Sequence, residues 1–200
     1  MAKDQKEQGS FTALWMVLAL IVAIGTWMFI TPEHLLKSLA GERAFVTELS
    51  GQQADQWIFS KMISVSAGQI QGMADAIKDA KDTPGAFKEW IQSRIVVTWL
   101  WGSLVVYRVN LLMLFWFILM PFTIAVAIDG YSTRMIRTFQ FSSQSPIRHR
   151  IGVLISTIVI FGVAIWLVLP IPLPSVVAPL AIVSIGWATW MWVSNLQKRI

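Results

Sequence analysis

Charge in this chain is confined to the gaps between four long apolar runs, and that limits what it can fold into. Phe11–Ile30, Leu111–Ile128, Ile151–Leu169 and Val176–Trp192 contain no ionisable side chain and are 17 to 20 residues long. As helices rising ~1.5 Å per residue they match a hydrocarbon core of ~30 Å. Lipid offers the backbone no hydrogen-bond partners, so such a run crosses as a helix. The sequence predicts an all-α integral membrane protein with four transmembrane helices and an extracytoplasmic helical loop between the first two.

Sidedness follows from the basic residues. Lys3, Lys6, Arg134, Arg137, Arg148, Arg150, Lys198 and Arg199 make up half of the 16 Lys and Arg and crowd into residues 1–10, 129–150 and 193–200. The other half is diluted over 31–110, together with most of the acids. The positive-inside rule then places both termini and a basic 129–150 loop in the cytoplasm, with 31–110 and 170–175 opposite. The net charge of +5 is therefore read first as an orientation signal. There is no cysteine, which excludes disulfides, thiolate metal sites and cysteine nucleophiles. The first run carries Trp15 and Trp27 and leads into Thr31-Pro32-Glu33 without a small-x-small site. It is expected to remain as an uncleaved span.

Pro32 ends the first span at 11–30. Between 31 and 94 polar and apolar residues alternate at helical spacing, with Ile70, Met73, Ile77 and Ala80 on one face and Thr83-Pro84 as a helix start. Three or four short amphipathic helices are expected there, packed on the membrane surface or on a partner. Ile95–Val106 is apolar as well, and Tyr107, Arg108 and Asn110 separate it from the second span at 111–128. Arg108 is expected at the outer interface, reaching headgroups, with the upstream stretch projecting as helix or lying along the surface. Placed inside the membrane instead, it would need an acidic partner, and no span contains one. Pro170, Pro172 and Pro174 enforce an extended hairpin at 170–175, so the spans 151–169 and 176–192 must pair antiparallel. Ala178, Ala181, Ser184 and Ala188, with Gly152 and Ser156, form small faces suited to close helix packing; self-association uses the same signal.

Little in the chain carries chemistry. His34 and His149 are expected on opposite sides of the membrane, and no phosphate loop, zinc pair or nucleophile elbow occurs. No catalytic, cofactor or metal residue is assigned. Spans without ionisable groups lack the relay that a pump or transporter needs. The informative stretch is 129–150, read as a helix continuing from the second span. Tyr131, Met135 and Phe139 share one stripe, Arg134 and Arg137 lie on the other side, and Asp129 can pair with Arg134. The arginines serve as topology signals at lipid headgroups or as a docking surface for an acidic partner. Four arginines in 22 residues without interleaved aromatics make a weak nucleic-acid footprint.

Asp129-Gly130, Arg134, Arg137 and Phe139, and Ser145 followed by His149-Arg150 resemble a membrane protein family of integrating conjugative elements and conjugative plasmids, a domain-of-unknown-function family. Arg108 ahead of the second span and Pro121 within it fit the same pattern. The resemblance implies a four-span protein of the bacterial inner membrane, encoded beside the coupling ATPase of a type IV secretion channel. On that reading the chain is a non-catalytic accessory that contacts the coupling ATPase or channel base. Arg134, Arg137, Arg148, His149 and Arg150 then bind the partner, Asp129 and Gly130 set the loop's exit angle, and His149 caps its return. The rival readings are an exclusion protein acting in the recipient, a transporter or enzyme subunit, and a structural membrane protein unrelated to conjugation.

Overall fold

The computed structural model describes residues 17, 21–79, 85–140 and 145–195, and among these every regular element is helical. α1 is described over 21–29, α2 is Pro32–Ser50, α3 Gln52–Asp79, α4 Gly85–Phe139, α5 Pro146–Val168 and α6 Val177–Ser194. Of the expected first span only Val17 and 21–30 fall within the described residues, and α1 stops ahead of Pro32 as predicted. Thr83 and Pro84 lie outside them. Among the described residues three helices are long and apolar enough to cross a membrane: α4, α5 and α6.

α2, α3 and the first turns of α4 occupy residues 31–94, where three or four short helices were expected. α2 starts at Thr31, whose side chain accepts the His34 N–H, with Pro32 in the first turn. It stops at Gly51, whose φ of 85° suits a residue without a Cβ. α2 and α3 pack on the N-terminal half of α4. Leu35 packs with Val97, Leu100 and Leu104. Val46, Ile58 and Met62 join Tyr107, Leu111, Trp166 and Ala178. Burial of that apolar surface, ~25 cal/mol per Å², holds the hairpin in place.

α4 continues without a break through both stretches that flank the expected second span. Its 55 residues, about 80 Å at helical rise, run through Ile95–Val106, the expected span at 111–128 and on to Phe139. Tyr107, Arg108 and Asn110 do not break it; Asn110 Nδ2 donates back to the Val106 carbonyl at 2.8 Å. Pro121 sits inside the helix, where it removes one backbone donor.

The antiparallel α5–α6 pair forms as predicted around the non-helical 169–174 connection. α6 packs against both α4 and α5, which touch each other little. Small residues set these approaches: Ala178, Ala181 and Ala188 are buried. A Cβ on Gly152 would stand 2.9 Å from the Ala188 carbonyl oxygen, and one on Gly130 would stand 3.2 Å from the Trp190 ring. One end of the bundle thus gathers His34, Arg108 and the 170–173 hairpin. The other gathers 130–137, 149–152 and 190–195.

Candidate functional site

The densest polar assembly lies where α2, α4 and the end of α5 meet. Arg108 is 0% exposed and Glu42 2%. Arg108 Nε donates to both Glu42 carboxylate oxygens at 3.0 Å, and its NH2 group donates to Oε1 as well. NH1 donates to the carbonyls of Trp166, Leu167 and Leu169, the last at 2.6 Å, and NH2 to that of Ile171 at 2.7 Å. Glu42 Oε1 also accepts the Leu173 N–H at 3.4 Å. Arg108 therefore does not reach headgroups. It is buried in protein, and its acidic partner comes from the 31–94 region, not from a span. A buried guanidinium persists only when its charge and donors are all engaged, which this arrangement achieves.

Beside it sits a second pair. Arg43 donates to Asp55 through Nε at 3.1 Å and NH2 at 2.7 Å, and lies 3.9 Å from the centroid of the Phe59 ring. The bonds to Asp55 raise the Arg43 pKa above its ordinary value. Buried Tyr107 donates its hydroxyl to Asp55 at 2.9 Å. Adjacent residues on α2 (Glu42, Arg43) thus answer adjacent residues on α4 (Tyr107, Arg108), with Asp55 of α3 as the bridge. Tyr107→Phe removes one donor from a buried carboxylate that keeps Arg43. It is expected to cost about 1–2 kcal/mol, read as a lower thermal midpoint of the purified protein. An unchanged midpoint would show that the hydroxyl contributes nothing.

Arg108 is also the last of three donors spaced seven residues apart on α4. Arg94 NH1 donates to the Met28 carbonyl at 2.9 Å and to that of Trp27, at the end of α1. Trp101 Nε1 donates to the Val168 carbonyl at 2.7 Å, at the end of α5. Helix C-termini leave carbonyls without intrahelical partners and carry partial negative charge. One face of α4 supplies donors to two such ends.

At the opposite end the residues singled out from sequence divide. Asp129 does not pair with Arg134; its Oδ2 accepts Trp190 Nε1 at 2.7 Å. Gly130 acts by letting α6 approach. Arg137 NH1 donates to Asn195 Oδ1 at 3.2 Å, joining the ends of α4 and α6. His149 is not the cap of α5: Ser145 is, accepting the Arg148 N–H at 3.5 Å. The imidazole lies 6.3 Å from the Trp192 ring, with Nδ1 buried and unbonded among the described residues. Arg148 and Arg150 are exposed, and Arg134 is half-buried. Tyr131, Met135 and Phe139, expected on one stripe of the helix, are all exposed.

Glu42, Arg43, Asp55 and Tyr107 were not singled out from sequence. A signal was present. Glu42 falls on the face shared by Leu35, Ser38 and Val46, and Asp55 on that of Ile58, Met62 and Ser66. A carboxylate in a buried stripe calls for a cation. Among the described residues no group of three or more His, Cys, Asp or Glu could hold a metal.

No curated protein and no solved structure matches this chain. A family model does, described as IncC plasmid conjugative DNA transfer protein DtrJ-like, over residues 40–197. The match runs from just before the Glu42–Arg43 pair through α6, and it supports the conjugation-related resemblance carried by residues 107–150. The chain belongs to the DtrJ-like family of plasmid conjugative DNA transfer proteins.

Proposed function

We propose that this protein is a four-span accessory component of the conjugative apparatus in the bacterial inner membrane. Both termini face the cytoplasm, and the 129–150 side holds the coupling ATPase or channel base. The family match carries this reading. The distribution of basic residues supports the orientation, since Arg134, Arg137, Arg148 and Arg150 collect at one end of the bundle. Support for contact rather than catalysis comes from the chemistry of the buried polar groups, whose partners are helix ends and one another.

The geometry also refines which side chains serve a partner. Arg137 bonds Asn195 and holds α6, so its loss mixes docking with packing. Arg148 and Arg150 are exposed, and Arg134 forms no side-chain bond among the described residues. A partner with an acidic face meets these three. Rim charges of this kind act mainly on encounter and salt dependence. The triple change Arg134→Ala, Arg148→Ala, Arg150→Ala is expected to weaken capture of the coupling ATPase while leaving membrane insertion unchanged. Equal capture at matched protein levels would remove the arginines from the interface.

The role is tested by deleting the gene separately from donor and recipient and counting transconjugants, with complementation. Loss of transfer from the deleted donor alone is expected. A rise in transfer into the deleted recipient would instead make the protein an exclusion factor. No change in either would separate it from transfer.

A further inference from the structure

We infer that the tip of the α2–α3 hairpin is a lipid-contacting surface, seated in the interface of the leaflet on the 31–110 side. The inference rests on the proposed spanning of the membrane by residues 111–128 and concerns a region the family assignment leaves without a role.

The direction of the hairpin carries it. α2 follows α4 toward the span: His34 bonds the Pro170 carbonyl, Leu35 packs with Val97, Leu100 and Leu104, Glu42 meets Arg108, and Val46 joins the cluster of Leu111 and Ala178. α3 then returns along α4: Asp55 meets Tyr107, Ser66 approaches Ser103 at 3.3 Å, and Met73 lies beside Ile95 and Trp99. The turn at Gly51 is therefore the part of the hairpin nearest the bilayer. α2 continues eight residues beyond Glu42, about 12 Å of helical rise, which carries it past Leu111 to the first turns of the apolar run.

The side chains at that depth suit a lipid interface. Phe45, Leu49 and Trp57 are 41%, 48% and 43% exposed although large and apolar. A cleft of about 320 Å³ lies between Phe45 and Leu49 and the 174–176 connection. Glu48, Gln52 and Gln53 are exposed around the same turn, which keeps the tip at headgroup level and out of the acyl core. Aromatic and aliphatic side chains beside polar ones are what the boundary between headgroups and acyl chains accepts. Within the proposed span 111–128, Phe117 and Ile118 are exposed as well.

Because the chain has no cysteine, a single cysteine replacement gives a unique labelling site with no second substitution. Leu49→Cys, Trp57→Cys, Phe117→Cys and Lys78→Cys, each in the full chain in phospholipid nanodiscs, are compared for collision with oxygen and with a water-soluble nickel chelate. The oxygen-to-nickel ratio at 49 and 57 is expected to exceed that at 78 several-fold and to stay below that at 117. Equal ratios at 49, 57 and 78 would overturn the inference while leaving the spans intact. Spin–spin broadening at 49 would overturn it in favour of a second copy covering the tip. A ratio at 117 as low as that at 78 would overturn the membrane reading itself. Two tip positions guard against one variant failing to fold.

Discussion

Arg108→Ala is expected to be the most damaging single substitution in this protein, at about 3–5 kcal/mol of stability. It strands the Glu42 carboxylate with only the Leu173 N–H, and it frees the carbonyls that Arg108 holds at the end of α5. Glu42→Gln should cost less. It removes the charge partner but leaves the guanidinium bonded to the 166–171 carbonyls and keeps an acceptor in place. The pair changed together, Glu42→Leu with Arg108→Leu, should recover part of the loss, since apolar replacement of both partners removes the desolvation penalty along with the attraction. Thermal midpoints of the purified variants in detergent test this order. If Arg108→Ala matches wild type, or if the double variant is the worst of the three, the buried pair does not hold the junction.

The second large effect is expected at Gly152. A Cβ there would meet the Ala188 carbonyl at 2.9 Å and the Trp192 nitrogen at 3.1 Å. Both are backbone atoms that cannot swing aside. Gly152→Leu must push α5 away from α6 and should cost about 3 kcal/mol, toward the upper end of what overpacking usually costs. Gly162→Leu serves as the control, because a Cβ there meets nothing within 4 Å. The readout is proteolysis of the α5–α6 pair in membranes at matched expression. Equal protection of both variants would mean that the close approach at Gly152 does not govern the pair.

Much of the apolar half was legible in the sequence, because its determinants are local. Uncharged length marks α5 and α6, alternate prolines mark the hairpin between them, and small residues at helical spacing mark the face α6 buries. The junction was less legible for the opposite reason. Arg108 and Glu42 lie 66 residues apart, and local pattern alone makes an arginine beside an apolar run look like an exit to water. Its stem and head are covered by elements that only the fold brings together. Asp129 illustrates the same limit at the other end. Helical spacing offers Arg134 as its partner, yet packing supplies Trp190. The helices within 31–94 are longer than the short ones expected, 19 residues in α2 and 28 in α3, because burial against α4 sustains them.

The unbroken run of α4 has a mechanical consequence. Loops between membrane and soluble parts usually act as slack, absorbing movement on one side before it reaches the other. Here no slack exists between the helical hairpin at one end and the arginine-bearing turns at the other. A tilt of about 5° imposed at either end would displace the far end of an 80 Å rod by about 7 Å. The interior proline at 121 is where such a lever would flex, since the ladder of backbone bonds is interrupted there.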